Sequence, residues 1–181
     1  EIGVNVRWQR FSKGGEYSPP YDDIHLLVEW GSDGAQLKAF PNCFIRNESF
    51  YFHPGVTYTV RTASAFAGKI LPRDCIFSHN AQSWFSEDIE LMILSVGFMS
   101  CRVPQTYIEL AVGSGDIATS GSAARRYTTA VVESVPCDAL PQICTPENLE
   151  FTLDLFRRRI GELACDETSC HFGQFHFRSG Q

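Results

Sequence analysis

Seven cysteines in 181 residues constrain this chain more than any other feature. They are Cys43, Cys75, Cys101, Cys137, Cys144, Cys165 and Cys170, and no two have the CxxC spacing of a zinc ribbon or a dithiol redox centre. So many thiols without metal or redox spacing suit an oxidising compartment, where they pair. Cys137–Cys144 and Cys165–Cys170 would close short loops, and Cys43–Cys75 a longer one. The odd thiol, Cys101, follows the apolar run Val96-Gly97-Phe98-Met99 and reads as a buried free thiol, with a bridge to a second copy as the alternative. Two features agree with a secreted, extracellular product. The sequence opens at Glu1 without a Met, and Asn47-Glu48-Ser49 is an N-glycosylation acceptor.

At 44 % apolar and 13 % aromatic, the chain has enough material for a core that disulfides would reinforce rather than replace. Its length suits one domain over residues 1–181, β-rich through 1–135 and carrying a helical element in 136–181. A net charge of −6 argues against a nucleic-acid partner, which normally meets a basic footprint. No apolar run reaches the roughly 18 residues of a membrane span, so no membrane insertion is expected.

Periodicity points to strands. Ile2, Val4, Val6 and Trp8 alternate with other residues, as do Ile24, Leu26, Val28 and Trp30. Gly31-Ser32-Asp33-Gly34 supplies hairpin turn chemistry before a further extended stretch at 35–40. Residues 44–52 form another candidate hairpin, and Val56, Tyr58 and Val60 another strand. Residues 89–98 read as a buried strand because Val96-Gly97 is poor helix material, although Ser86-Glu87-Asp88 offers a helix cap. Residues 106–112 and 127–135 look like a strand pair around a Gly/Ser-rich loop, and the tail 170–178 alternates again.

One helix is signalled outright. Thr145 is a good N-cap, Pro146 fits the first position, and Leu149, Leu153, Phe156, Ile160 and Leu163 share a face over about 146–164. The expected fold is therefore mainly β: an antiparallel β-sandwich or barrel, disulfide-supported, with one C-terminal amphipathic α-helix.

Catalytic signals are sparse. His25 and Glu29 would share one face of a strand and could serve as acid and base. There is no GxSxG elbow and no P-loop, and no cofactor is expected. Cys165, Cys170, His171 and His176 are capable zinc ligands, but their spacing matches no standard site, so no metal is expected. In the aromatic run Phe50-Tyr51-Phe52, the phenylalanines would enter the core and Tyr51 would face a partner. Arg125-Arg126 after the Gly/Ser-rich loop is a dibasic processing signal.

The expectation is a secreted binding protein of effector, receptor-module or toxin-like type. It would recognise an extracellular protein or glycan through loops 12–23, 63–73 and 113–124. The alternative is a small secreted hydrolase, of nuclease or glycosidase type, using His25 and Glu29.

Overall fold

The structure is a computed structural model that describes residues 7–113, 124–138, 140–166 and 168–171. The expected first strand up to Val6, most of the 113–124 loop and the tail beyond His171, including His176, lie outside the described residues, while Trp8 of that strand opens β1.

Along the chain run β1 (Trp8–Ser12), β2 (Leu27–Glu29), α1 (Gly31–Lys38), a short 3-10 turn (Glu48–Phe50), β3 (Gly55–Thr59), β4 (Arg61–Thr62), β5 (Lys69–Leu71), β6 (Cys75–Phe77) and β7 (Ala81–Trp84). Then come α2 (Ile89–Met99), α3 (Arg102–Val112), β8 (Arg125–Arg126), α4 (Thr129–Glu133), α5 (Leu140–Ile143) and α6 (Pro146–Ala164). In one sheet β1 is central, antiparallel to β2 and parallel to β6. In the other β3 is central, antiparallel to both β5 and β7. The third is a ribbon of β4 and β8.

This is a mixed α/β fold, and it overturns the mainly β sandwich or barrel. The strands are short, and the long apolar segments after residue 88 are helical. Residues 89–99 are apolar on every side, which suits a helix enclosed by other elements as well as it suits a buried strand. Asp88 decides the outcome locally: its Oδ1 accepts from the Leu91 backbone N–H at 3.0 Å, capping α2. Gly97 is a packing site rather than a breaker, because a Cβ there would lie 2.8 Å from Thr152 Oγ1 on α6.

The expected strand at 106–112 is α3. Pro104, Ile108 and Val112 form its inward stripe at spacings of four, while Leu110 is 77 % exposed. Tyr127, Val131 and Val135 repeat that spacing through α4 and its flanks. The expected extended arm at 35–40 is instead the right-handed end of α1, reached through a left-handed turn at Ser32, Asp33 and Gly34. Gly34 lies flat on the Trp30 ring, 2.9 Å from a would-be Cβ. α6 is capped by Thr145, whose Oγ1 accepts from Asn148 N at 3.3 Å.

Two core clusters meet at Trp84. Tyr58, Phe66, Met99, Ile108 and Tyr127 lie on one side, with Val56, Met92, Val96 and Phe156 on the other. The buried Lys69 ammonium ties down residues 14–22 by donating to the Gly14 and Glu16 carbonyls and to Asp22.

Among the described residues no disulfide bond is formed, which overturns the disulfide-supported fold. Cys75 is fully buried beside Ile24 and Leu71, whereas Cys43 is exposed. Cys101 is exposed rather than buried, and its Sγ donates to the Gly97 carbonyl at 3.4 Å. Among the described residues, no helix is long and apolar enough to cross a membrane.

Candidate functional site

A cleft of about 1250 Å³ opens between the two three-stranded sheets, the 37–51 segment, α2 and α4. Aromatic rings form one continuous wall. Trp30 meets Tyr51 edge-on at 5.3 Å, Tyr51 meets Phe77 at 5.2 Å, Phe77 tilts onto Phe85 at 5.6 Å, and Phe85 stacks with Phe50 at 5.0 Å. Trp84 and Tyr58 continue the lining toward α4. The Trp84 indole is fixed by donating to Ser95 Oγ at 3.1 Å, and Ser95 in turn donates to the Met92 carbonyl.

Polar groups stand at intervals on this wall. Gln82 Oε1 accepts from Tyr58 Oη at 2.7 Å and from Thr129 Oγ1 at 2.9 Å. Two donors on one carbonyl oxygen fix the Gln82 side chain on the cleft lining. Burial raises the Tyr58 phenol above its ordinary value, the Thr129 hydroxyl pulls it back, and the Glu133 carboxylate adds to the rise. Asn47 is exposed in the left-handed region (φ 56°, ψ 34°), and its side-chain amide has no hydrogen-bond partner among the described residues. Its local role is to turn the chain into the cleft wall, a conformation that Asn tolerates better than most residues. Arg46 lines the same wall without an ion-pair partner among the described residues.

The β4–β8 ribbon adjoins the cleft at Tyr58 and Thr129. Arg61 and Arg126 are direct cross-strand partners, both exposed, and neither has an ion-pair partner among the described residues. Like charges placed opposite each other destabilise an antiparallel pair unless an anion lies between them. Arg125, half-buried, reaches Glu109 at 3.7 Å. Thus Arg125 and Arg126 sit in a paired strand.

His25 and Glu29 are not brought together. His25 precedes β2 and its Nδ1 lies 3.3 Å from the Asp23 carbonyl oxygen, beside a hollow of about 60 Å³. The Glu29 carboxylate accepts from Arg7 Nε at 2.9 Å. The aromatic run faces opposite to the sequence expectation: Tyr51 is buried, while Phe50 and Phe52 are exposed. Tyr51 still borders the cleft, and burial followed by the Glu48 charge raises its phenol.

A second cluster lies apart from the cleft lining. Asp23, Cys170 and His171 each present a ligand atom within 4.8 Å of the others. Cys170 Sγ donates to Asp23 Oδ1 at 2.7 Å, its backbone N–H donates to Asp23 Oδ2 at 2.9 Å, and Tyr21 Oη lies 2.9 Å from His171 Nε2. Burial pushes the Cys170 thiol up to about 11, with the Asp23 carboxylate adding to it. Burial also acts to raise Asp23, but donors from Cys170 outweigh it and hold that carboxyl below its usual range. Of the cysteines assigned to disulfides, Cys43 and Cys137 line the cleft, Cys144 and Cys165 are exposed, and Cys75 is in the core.

No protein family model matches the chain. It is 26 % identical over 84 residues, 46 % of its length, to the adenine-specific methyltransferase BrxX of Escherichia coli O9:H4 (strain HS). It is 20 % identical over 117 residues, 61 % of its length, to the adenine-specific methyltransferase PglX of Lacticaseibacillus casei (strain Zhang). The matched stretches are 7 % and 10 % of the two enzymes, so the chain spans about a tenth or less of the curated relatives it matches. These similarities, with no disulfide bond among the described residues, overturn the secreted glycoprotein that binds an extracellular protein or glycan, and with it the His25–Glu29 hydrolase. They also overturn the exclusion of nucleic acid from its partners, because net charge sums over the whole chain and hides a local arginine pair.

Proposed function

We propose that this chain is a nucleic-acid-contacting part of an adenine-specific methyltransferase-type protein, and that the aromatic cleft with its arginine ribbon is the contact surface. The carrying observation is the similarity to two adenine-specific methyltransferases from different organisms. The chemistry of the cleft supports recognition. Aromatic faces stack bases for about 1–3 kcal/mol each. An unpartnered Asn amide such as that of Asn47 can meet both N6 and N7 of adenine, a pairing worth about 1–3 kcal/mol of discrimination. The Arg61–Arg126 pair would meet phosphate, whose negative charge relieves the repulsion between the two guanidinium groups.

The test is fluorescence anisotropy of labelled duplex and single-stranded DNA, with and without adenine, across a salt series. We expect binding that weakens with salt. Arg61→Ala and Arg126→Ala should each weaken it uniformly across sequences and lower the salt slope by about one. Asn47→Ala should reduce the preference for adenine. Absence of DNA binding at low salt, or binding indifferent to both arginine changes, overturns the proposal. Since both arginines are exposed, neither change threatens the fold.

A further inference from the structure

We propose that Asp23, Cys170 and His171 form a binding site for a zinc-class divalent cation that pins the chain after α6 to the loop before β2. The three residues come from segments about 147 positions apart and supply one oxygen, one sulfur and one nitrogen ligand within 4.8 Å of one another. A mixed thiolate, imidazole and carboxylate set is what zinc accepts, and three protein ligands leave one tetrahedral position for water. Calcium and magnesium prefer all-oxygen sites, which this is not.

The surroundings hold the ligands in place. Asp22 Oδ1 accepts from the Asp23 backbone N–H at 3.0 Å, and Ser169 Oγ accepts from the His171 backbone N–H at 3.0 Å. The Tyr21 ring packs edge-on against the His171 imidazole at 5.4 Å, with the hydroxyl at Nε2. Outer contacts of this kind fix ring orientation in metal sites. The Cys170 thiol donates to Asp23 Oδ1, and a cation held by both groups would displace that proton. Binding therefore replaces one proton, released to solvent, with one metal ion held by thiolate and carboxylate. The clamp also has a structural use. Asp22, next to Asp23, holds the buried Lys69, so the cation would join the C-terminal end of α6 to the network that orders residues 14–22.

The test uses the full chain, stripped with a chelator and reloaded with zinc or cobalt. We expect one zinc per chain, a thiolate-to-cobalt charge-transfer band and a rise in melting temperature on zinc addition. Cys170→Ser and His171→Ala should each abolish the band and the melting shift. Cys144→Ser, at an exposed cysteine before α6 and outside both the cluster and the cleft lining, should keep both. Circular dichroism of the metal-free variants checks that each remains folded, and Cys170→Ala serves as the second variant should serine perturb the turn. Failure of the stripped chain to bind zinc, or zinc binding that survives both Cys170→Ser and His171→Ala, overturns the proposal. DNA binding is read separately, so either result leaves the cleft assignment to its own test.

Discussion

Lys69 Nζ lies 2.9 Å from Asp22 Oδ2, with the lysine side chain only 2 % exposed. The Gly14 and Glu16 carbonyls accept from the same ammonium at 3.0 and 3.3 Å, so all three of its protons are engaged. Lys69→Met would keep most of the buried stem and remove the charge, leaving three acceptors without their donor. Removing one partner of a buried pair costs about 3–5 kcal/mol, and the partly exposed Asp22 places the loss near 3 kcal/mol. Denaturant unfolding measures it, and hydrogen exchange should show the 14–22 backbone losing protection first. A loss no larger than that of an exposed Lys13→Met control would mean the ammonium does not organise this loop.

Ile108 and Leu110 separate the observed α3 from the strand expected for the same residues. On a strand the two would share a face; on α3, Ile108 is fully buried and Leu110 is 77 % exposed. Ile108→Ala should therefore cost about 2–5 kcal/mol, and Leu110→Ala should stay within about 0.5 kcal/mol of zero. Similar losses at both positions would count against the helix.

These same residues show what the sequence makes legible. α6 is readable because Thr145 and Pro146 mark its start and its apolar face has a clear helical period. α2 is not, because an element apolar on every side has no period, and the glycine that discourages a helix is there for the approach of Thr152. In α3, Ile108 belongs to both the alternating pattern and the stripe from Pro104 to Val112, so spacing alone does not choose. The cleft is harder still: its lining runs from Phe11 to Leu140, and no local motif joins residues so distant. Cysteine count misled because a thiol such as Cys75 serves as a small apolar core residue without pairing. Asp23 and Cys170 meet only in three dimensions, which neither segment announces.

Gly97→Ala tests the packing of α2 against α6. The new methyl would fall 2.8 Å from Thr152 Oγ1, and that hydroxyl is itself held by donating to the Asn148 carbonyl at 2.8 Å. Overpacking of this kind costs about 1–3 kcal/mol. It outweighs the gain of about 1 kcal/mol from replacing a mid-helix glycine by alanine. The variant should be less stable than the wild type, and Thr152→Ala should make Gly97→Ala neutral or stabilising. Strict additivity in that double-mutant cycle would place the clash elsewhere.

Alkaline stability reports on the buried phenol between the cleft and α4. Burial raises Tyr58 above the ordinary phenol value near 10, the Thr129 hydroxyl opposes the rise and the Glu133 charge adds to it. The folded state thus holds this proton more firmly than the unfolded chain does. The associated stability is complete below pH about 10 and is lost as pH climbs from there through the folded value. Tyr58→Phe removes the hydrogen bond to Gln82, costing about 1 kcal/mol at neutral pH, and also removes the titrating group. Its stability should decline less steeply than the wild type's above pH about 10, so the two curves converge. Curves that stay parallel through the alkaline range would show that this phenol keeps no firmer hold on its proton in the fold than outside it.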